Sequence, residues 1–344
     1  MQGFIKMSRY AGMREDLVQA GGGNSSYKLD DNKMMIKASG YQLSELTQEE
    51  GYAVIDYQKI RKAFLECNHL NEMTDEERGL IMSDAYIEGK RPSIETFLHA
   101  ISGKYTLHTH PIVVNALACR KGGMEILKKL FPEALLVPYA TPGVELAKAF
   151  FSVYKKNAKS QEQVFNLVFL QNHGLVVSAE TAEEVIEKTE EIVLKLEDYL
   201  SFDYSDYHRL TELWRFFPDK IVWEVTDKHI LYAATLLAGK WQHAFCPDCV
   251  VFLGKKMLFL NNEFTKMDIQ KFENEYGYPI IICWRKYYYI LADSVKKAME
   301  IQSVMSFSAQ VMLVNKDQDC DLLTEAEQNF LLNWDAEKYR KTMK

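Results

Sequence analysis

His108 and His110 stand two apart in the run YTLHTHPIVVNAL, residues 105 to 117. In a β-strand, residues two apart point to the same face. Both imidazoles can therefore reach one ion, with Thr109 turned away. Pro111 ends the strand and leaves both rings at its edge, where a ligand can enter. A third imidazole is available in Gln171-Asn172-His173-Gly174, again at the end of an apolar strand, where Gly174 permits a sharp turn. Three histidines with one open position suit a catalytic zinc-like ion, Zn2+ or another divalent metal. A coincidental H-x-H is the competing reading. Glu95, in Pro92-Ser93-Ile94-Glu95, falls in the first turn of a helix that leads into the histidine strand. An acid there favours the helix macrodipole and by itself needs no further role. Beside metal-facing histidines it becomes a candidate ligand or proton shuttle. His99, four residues on, reads as a packing histidine.

The elements around these residues alternate. The first twenty residues read as helical. Ser26–Leu29 and Met34–Lys37 read as strands around an Asp30–Asn32 turn, and Tyr52–Asp56 as a third strand. Tyr57–Cys67 and Asp75–Glu88 read as helices, and SIETFLHAI as another. Then come strand YTLHTH, helix PIVVNALACR, strand EALLVPY, helix GVELAKAFFSVYKK and the buried strand NLVFLQN. A helix follows, opened by a Thr181/Glu184 capping box. This alternation predicts an α/β layered domain over residues 1–205. The polar segment SFDYSDYHRL reads as irregular and marks the junction. Residues 206–344 then form a smaller α/β unit. It has a helix over Asp227–Ala238, two strands within Cys249–Leu260, a hairpin around PIIICWRKYYYIL and a last helix capped by Thr324 and Glu327. This unit carries no catalytic cluster and reads as a packing or oligomer element. Its Cys246 and Cys249 make a C-x-x-C. A strand-like run, CVVFLG, follows and no second pair exists, so the structural reading leads over a redox or metal one.

Composition narrows the classes. The chain has 344 residues, 47% hydrophobic and 26% charged, enough for a substantial core. A net charge of −7 argues against non-specific nucleic-acid binding. The basic tail KYRKTMK reads as a solvated helix end. No apolar run is long enough to span a membrane. The start MQGFIKMSRY lacks the apolar core of a signal peptide, which predicts a cytoplasmic protein. Gly21-Gly22-Gly23 is not a dinucleotide fingerprint, because Ser26 occupies the third glycine position. No G-K-[ST] occurs, which excludes a P-loop.

The ordered set GGGNSS, IKASG, PSIE, HTH, VPYATPG and QNHG resembles the class II aldolase/adducin family of zinc sugar-phosphate aldolases. The tail, with FLLNWDAEKYRK, is similar to the aldolase half of long bacterial proteins that fuse a rhamnulose-phosphate aldolase to a dehydrogenase. The resemblance implies a three-layer α/β/α fold around a largely antiparallel central sheet. It implies a metal held by His108, His110 and His173, with Glu95 as resting ligand and acid/base. It implies a tyrosine, matched here by Tyr139, that serves the departing aldehyde oxygen as proton donor. A core role for Tyr139 is the alternative. It implies a phosphate cradle at Gly23, Asn24, Ser39, Gly40 and Ser93, for which simple turn chemistry competes. The implied partner is a small-molecule sugar phosphate, and the implied assembly a homo-oligomer, a tetramer by resemblance. The sugar-phosphate aldolases carry two serines before the glutamate, whereas the second is Ile94 here. Lys37 could compensate, or phosphate could bind differently. The expected reaction is cleavage of a ketose 1-phosphate, rhamnulose- or fuculose-phosphate-like. The alternatives are a decarboxylase, dehydratase or epimerase of the family, or an adducin-like interaction module. The epimerases carry an aspartate where this chain has Glu95, and adducin-like members have lost the metal histidines.

Overall fold

The structure, a computed structural model, describes residues 1–66, 74–160, 163–237 and 241–333. The tail KYRKTMK, the end of FLLNWDAEKYRK, Cys67 and Ala238 lie outside the described residues. The chain divides into two compact units, Met1–His208 and Arg209–Lys344.

The first unit begins with α1 (Gln2–Gly12), β1 (Asn24–Lys28), β2 (Lys33–Lys37), β3 (Tyr52–Asp56), α2 (Tyr57–Glu66), α3 (Asp75–Ala85) and β4 (Tyr86–Gly89). It continues with α4 (Thr96–Ala100), β5 (Tyr105–Thr109), α5 (Ile112–Ala118), α6 (Gly123–Leu130) and β6 (Leu135–Val137). It closes with α7 (Val144–Asn157), β7 (Leu167–Leu170), β8 (Gly174–Ala179) and α8 (Ala182–Leu200), followed by α9 (Ser205–Trp214). Eight strands form one sheet in the order β4-β3-β2-β1-β5-β8-β7-β6. Only the β6–β7 pair is parallel. β5 lies between β1 and β8, with Asn24 opposite His108 on one side and Val176 opposite His108 on the other.

Period-two alternation divides the side chains between two faces. Met34, Ile36, Ile55 and Leu170 join Phe64, Phe97 and Phe150 in a core covered by α2, α4 and α7. The opposite face is covered by α1, α5 and α8. Phe4, Met7, Leu107, Val177 and Leu196 are buried there. This is the three-layer arrangement with a largely antiparallel sheet that the sequence led us to expect. The Thr181/Glu184 capping box forms as predicted.

Several elements differ from the sequence reading. The helix predicted over Asp75–Glu88 ends at Ala85, and Tyr86–Gly89 becomes an edge strand on β3. The run GLVVSA is a strand, β8, that the sequence reading lacks, and SFDYSDYHRL contributes to helix α9 rather than an irregular link. Helix α6 was also not anticipated.

The second unit contains β9 (Ile221–Glu224), α10 (Lys228–Leu237), α11 (Pro247–Leu253), β10 (Leu258–Leu260) and α12 (Lys266–Tyr276). Then come β11 (Ile281–Trp284), β12 (Tyr287–Ala292), α13 (Val295–Val314) and α14 (Glu325–Asn333). Its sheet runs β10-β11-β12-β9 and packs on a core with Ile230, Cys249, Ile281, Ile290 and Met305. The β11–β12 hairpin turns through Arg285 and Lys286, at φ 50° and 72°. Two successive left-handed residues match the right-handed twist of a tight hairpin. Cys249–Leu260, expected as two strands, is instead a helix followed by one short strand. Cys246 caps that helix and Pro247 opens it. The basis for setting the C-x-x-C aside, a strand after the first cysteine, therefore fails.

Candidate metal centre

The three histidines converge. Nε2 of His108 lies 3.1 Å from Nε2 of His110 and 3.1 Å from Nε2 of His173. One ligand atom from each lies within 4.8 Å of the others. His108 is in β5, His110 one residue past its end, and His173 in the tight turn joining β7 to β8. The turn is closed by the His173 N–H donating to the Leu170 carbonyl, at 3.1 Å. Its left-handed residue is Asn172, at φ 53°, a conformation asparagine tolerates better than most. Gly174 serves differently from the expectation. A Cβ there would fall 2.2 Å from the Thr109 carbonyl oxygen and 3.0 Å from Cδ2 of His110. Its role is close approach of two backbones, not the turn itself.

Glu95 completes the cluster. Its Oε1 is 3.5 Å from Nε2 of His108 and 3.4 Å from Nε2 of His173. It stands just before α4 rather than inside its first turn, and its side chain does not cap the helix. A five-residue helix has little stability of its own. Phe97 and Leu98 are buried and hold it, each at roughly 1.5–3 kcal/mol. Glu95 is thus aimed by core packing.

The donor set fits a divalent cation. Nδ1 of His108 lies 2.9 Å from the Leu175 carbonyl, so Nδ1–H donates and Nε2 of the neutral ring turns a lone pair to the centre. Lone pairs facing each other at 3.1 Å repel unless a proton or cation lies among them. Nitrogens bound about 2.0–2.1 Å from a tetrahedral zinc sit roughly 3.3–3.4 Å apart. The observed spacing is close to that. Electrostatics agree. Burial raises the Glu95 carboxyl, but His108 and His173 outweigh it and hold it well below the usual carboxylate range. Burial, with the charges of His108 and His173, pushes His110 down to about 3. Burial also works against charge on His108, yet Glu95 and the Leu175 carbonyl carry its pKa upward.

Residues behind the ligands fix them. The Leu17 carbonyl accepts the His110 N–H at 2.7 Å, and the Asp16 carbonyl accepts the Ile112 N–H at 2.9 Å. The Asp16 side chain is gripped by both Nε and Nη2 of buried Arg14, each at 2.6 Å. Asn115 donates through Nδ2 to the His173 carbonyl at 3.0 Å. Gly22 lies against the His110 ring. None of these four, Arg14, Asp16, Gly22 and Asn115, was marked in the sequence. What ties them to the histidines is tertiary proximity, which spacing does not encode.

The other expected site residues are placed as follows. Asn24 is buried opposite His108, with Oδ1 accepting the Ser25 N–H at 2.8 Å. Gly23 has φ 72°, and a Cβ there would come 2.9 Å from the His108 carbonyl. Ser39 is exposed and its N–H donates to the Arg91 carbonyl at 2.9 Å. An Ala38–Pro92 bridge brings the Ser39-Gly40 turn beside the loop carrying Ser93. Ser93 is buried, and its Oγ accepts the Glu95 N–H at 3.3 Å. Lys37 is buried, with Nζ donating to the Tyr41 carbonyl at 2.6 Å. Burial lowers its pKa while Glu95 and Glu45 oppose that. Ile94 is exposed, its Cδ1 3.6 Å from where a Cβ of Gly143 would stand. Tyr139 is not a core residue: it is 59% exposed, and its N–H donates to Oε1 of Gln171 at 3.2 Å. His99 is a packing histidine as read. Its Nδ1 is 2.7 Å from Ser26 Oγ, and burial above all brings its pKa to about 3. Among the described residues no helix is long and apolar enough to cross a membrane.

A Bacillus subtilis (strain 168) protein named Uncharacterized oxidoreductase YuxG is 29% identical over 209 residues, covering 57% of this chain and 29% of that protein. This chain therefore spans less than a third of that relative. The solved N-terminal class II aldolase domain of a conserved protein from Thermoplasma acidophilum is 25% identical, with a TM-score of 0.49. That match covers 57% of this chain and 92% of that one. L-fuculose-1-phosphate aldolase from Thermus thermophilus is 18% identical, with a TM-score of 0.37, over 61% of this chain and 95% of that one. Residues 2–200 match the family described as Class II Aldolase and Adducin N-terminal domain, well over half of the sequence. The chain is a member of the class II aldolase/adducin family.

Proposed function

We propose that this chain is a divalent-metal aldolase that cleaves a ketose 1-phosphate, rhamnulose- or fuculose-phosphate-like, to dihydroxyacetone phosphate and an aldehyde. The observation that carries the reading is the convergence of three imidazole Nε2 atoms with the Glu95 carboxylate 3.4–3.5 Å from two of them. His108, His110 and His173 would hold the cation. When bound, it supplies Lewis-acid polarisation of the ketone and hydroxyl oxygens, worth several kcal/mol of charge stabilisation. Glu95 moves the proton at the carbon of the dihydroxyacetone fragment, a contribution of roughly 10²–10⁴ in rate. Its carboxylate, beside two of the imidazoles, would contact the bound cation and stand ready to carry that proton. Tyr139 handles the proton on the oxygen that becomes the aldehyde, and its exposure lets it reach substrate. Gly23, Asn24, Ser39, Gly40 and Ser93 bind the phosphate through backbone N–H groups and hydroxyls.

In this reading residues 1–205 are the catalytic domain, and residues 206–344 pack or make oligomer contacts within a homo-oligomer. The chain would correspond to the aldolase half of the fused aldolase–dehydrogenase proteins. A non-catalytic adducin-like role is disfavoured by retention of the whole ligand set. The deciding experiment is release of dihydroxyacetone phosphate from a panel of ketose 1-phosphates, with and without a chelator. Chelator-sensitive product is expected. No product from any member, with metal-loaded protein, would refute the aldolase reading.

A further inference from the structure

The second unit holds a pair of sulfurs that the aldolase reading does not use. Cys246 caps α11, and Cys249 follows one turn later. Their Sγ atoms are 3.1 Å apart, and the Cys249 N–H points to the Cys246 sulfur at 3.4 Å. Pro247 opens the helix between them and fixes the backbone that sets this approach. The two environments differ. Cys246 is partly accessible beside exposed Pro247 and Asp248, whereas Cys249 is fully buried in the core. Burial, with the adjoining Cys246 sulfur, pushes the Cys249 thiol upward in pKa. The inner sulfur is thus shielded from solvent, and the outer one is the point of entry.

Two chemistries suit a close thiol pair: a structural metal site and a dithiol–disulfide couple. Structural zinc takes four ligands. Among the described residues no third His, Cys, Asp or Glu joins this pair within ligand distance of a common point. That favours the couple.

We propose that Cys246 and Cys249 form a reversible dithiol–disulfide site, oxidised by low-molecular-weight disulfides. The Cys246 thiolate attacks one sulfur of the small disulfide, forming a mixed disulfide and releasing one small thiol. The Cys249 sulfur, already in contact, then attacks the Cys246 sulfur, giving up its proton to the departing small thiolate. The Cys246–Cys249 bond forms, the mixed disulfide breaks and a second small thiol leaves. Each protein thiol proton ends on a released thiol. Two protein thiols are oxidised and one small disulfide is reduced. The site does not depend on the aldolase reading.

The test incubates the full chain in glutathione buffers of rising oxidised-to-reduced ratio, traps free thiols by alkylation and maps the tryptic peptides. Both cysteines lie on one peptide, WQHAFCPDCVVFLGK. At high ratio that peptide is expected two hydrogens lighter and unalkylated, and a reductant restores it. Cys249→Ser is expected to stop at the glutathione adduct on Cys246. In Cys246→Ser, Cys249 should react about tenfold or more slowly than Cys246 does in the native chain. Dual alkylation at every ratio, or a stable Cys246 adduct with Cys249 present, would overturn the proposal. So would equal reactivity of Cys249 in the Cys246→Ser chain. The native-chain mapping decides even where a variant fails to fold.

Discussion

A methyl group on Gly22 would lie 2.9 Å from Nδ1 of His110 and 2.9 Å from the Gln19 carbonyl oxygen. The ring rests against bare backbone, and that backbone holds it in line with His108 and His173. Gly22→Ala should therefore rotate the ring or shift the turn behind it. Loss of such support typically costs about 10–100-fold in metal affinity. Competition against a chelator of known affinity, on protein shown to be folded, measures this. Unchanged affinity would remove Gly22 from the support of the centre.

His108→Ala combined with His110→Ala should reduce bound zinc from about one per chain to a small fraction of that, since the remaining ligands do not fill a zinc site. Elemental analysis after dialysis reads the result. Zinc retained at the native level would refute the ligand assignment.

Glu95→Gln keeps shape and size while removing the carboxylate charge, and with it the proposed base. The expected outcome is near-native metal content with turnover down by about 10²–10⁴. Full turnover in that variant would assign the proton transfer to another group.

Ile94 presents an apolar side chain where the family resemblance leads us to expect a hydroxyl. Ile94→Ser restores that donor, and one hydrogen bond is worth about 0.5–1.5 kcal/mol. KM for a ketose 1-phosphate should fall several-fold, with no change for the unphosphorylated ketose. An equal change for both would place phosphate elsewhere.

His208 joins two carboxylates of α8, with Nδ1 2.8 Å from Glu190 and Nε2 2.9 Å from Glu197. Arg14 and Tyr10 also bind Glu190, at 2.7 Å and 2.5 Å, and Asp16 faces the same cluster. Burial opposes charge on His208, but Glu190 and Glu197 raise its pKa above the ordinary value. Burial raises Glu190 as well, yet His208 and Arg14 bring it to about 2. A raised histidine contributes stability that is complete below its unfolded pKa, about 6.5, and fades as pH climbs through the folded value. A depressed glutamate contributes above about 4.5, and loses that contribution as pH falls towards about 2. The Tm deficit of His208→Gln should therefore be largest between about pH 4.5 and 6.5 and shrink on the alkaline side. Solvent reaching the partly buried His208 screens the interaction and limits the deficit to roughly 2–4 °C. A deficit that grows with alkalinity would reverse the assignment.

Much of the centre was legible because strand alternation is a local rule. H-x-H at a strand end puts two rings on one face whatever the rest of the chain does, and His173 announced itself by its turn. The capping boxes at Thr181 and Thr324 were legible for the same reason, since four consecutive residues contain the whole motif. The misreadings share a different cause. GLVVSA is buried along its entire length, so it shows no alternation, and its first residue was taken for part of the turn. PDCVVFL is short, apolar and rich in β-branched residues, which looks like a strand until Cys246 and Pro247 start it as a helix. Gly22 and Asn115 act across the fold, on His110 and His173, and no short window along the chain contains both partners of either contact.

The pairing of His108 with Val176 across β5 and β8 has one more result. A ladder displaced by a single position would present His108 to the wrong side. A misassembled sheet would then lack the ion altogether. Zinc retained on purification would thus vouch for correct strand alignment, the cation serving as a proofreader of the fold.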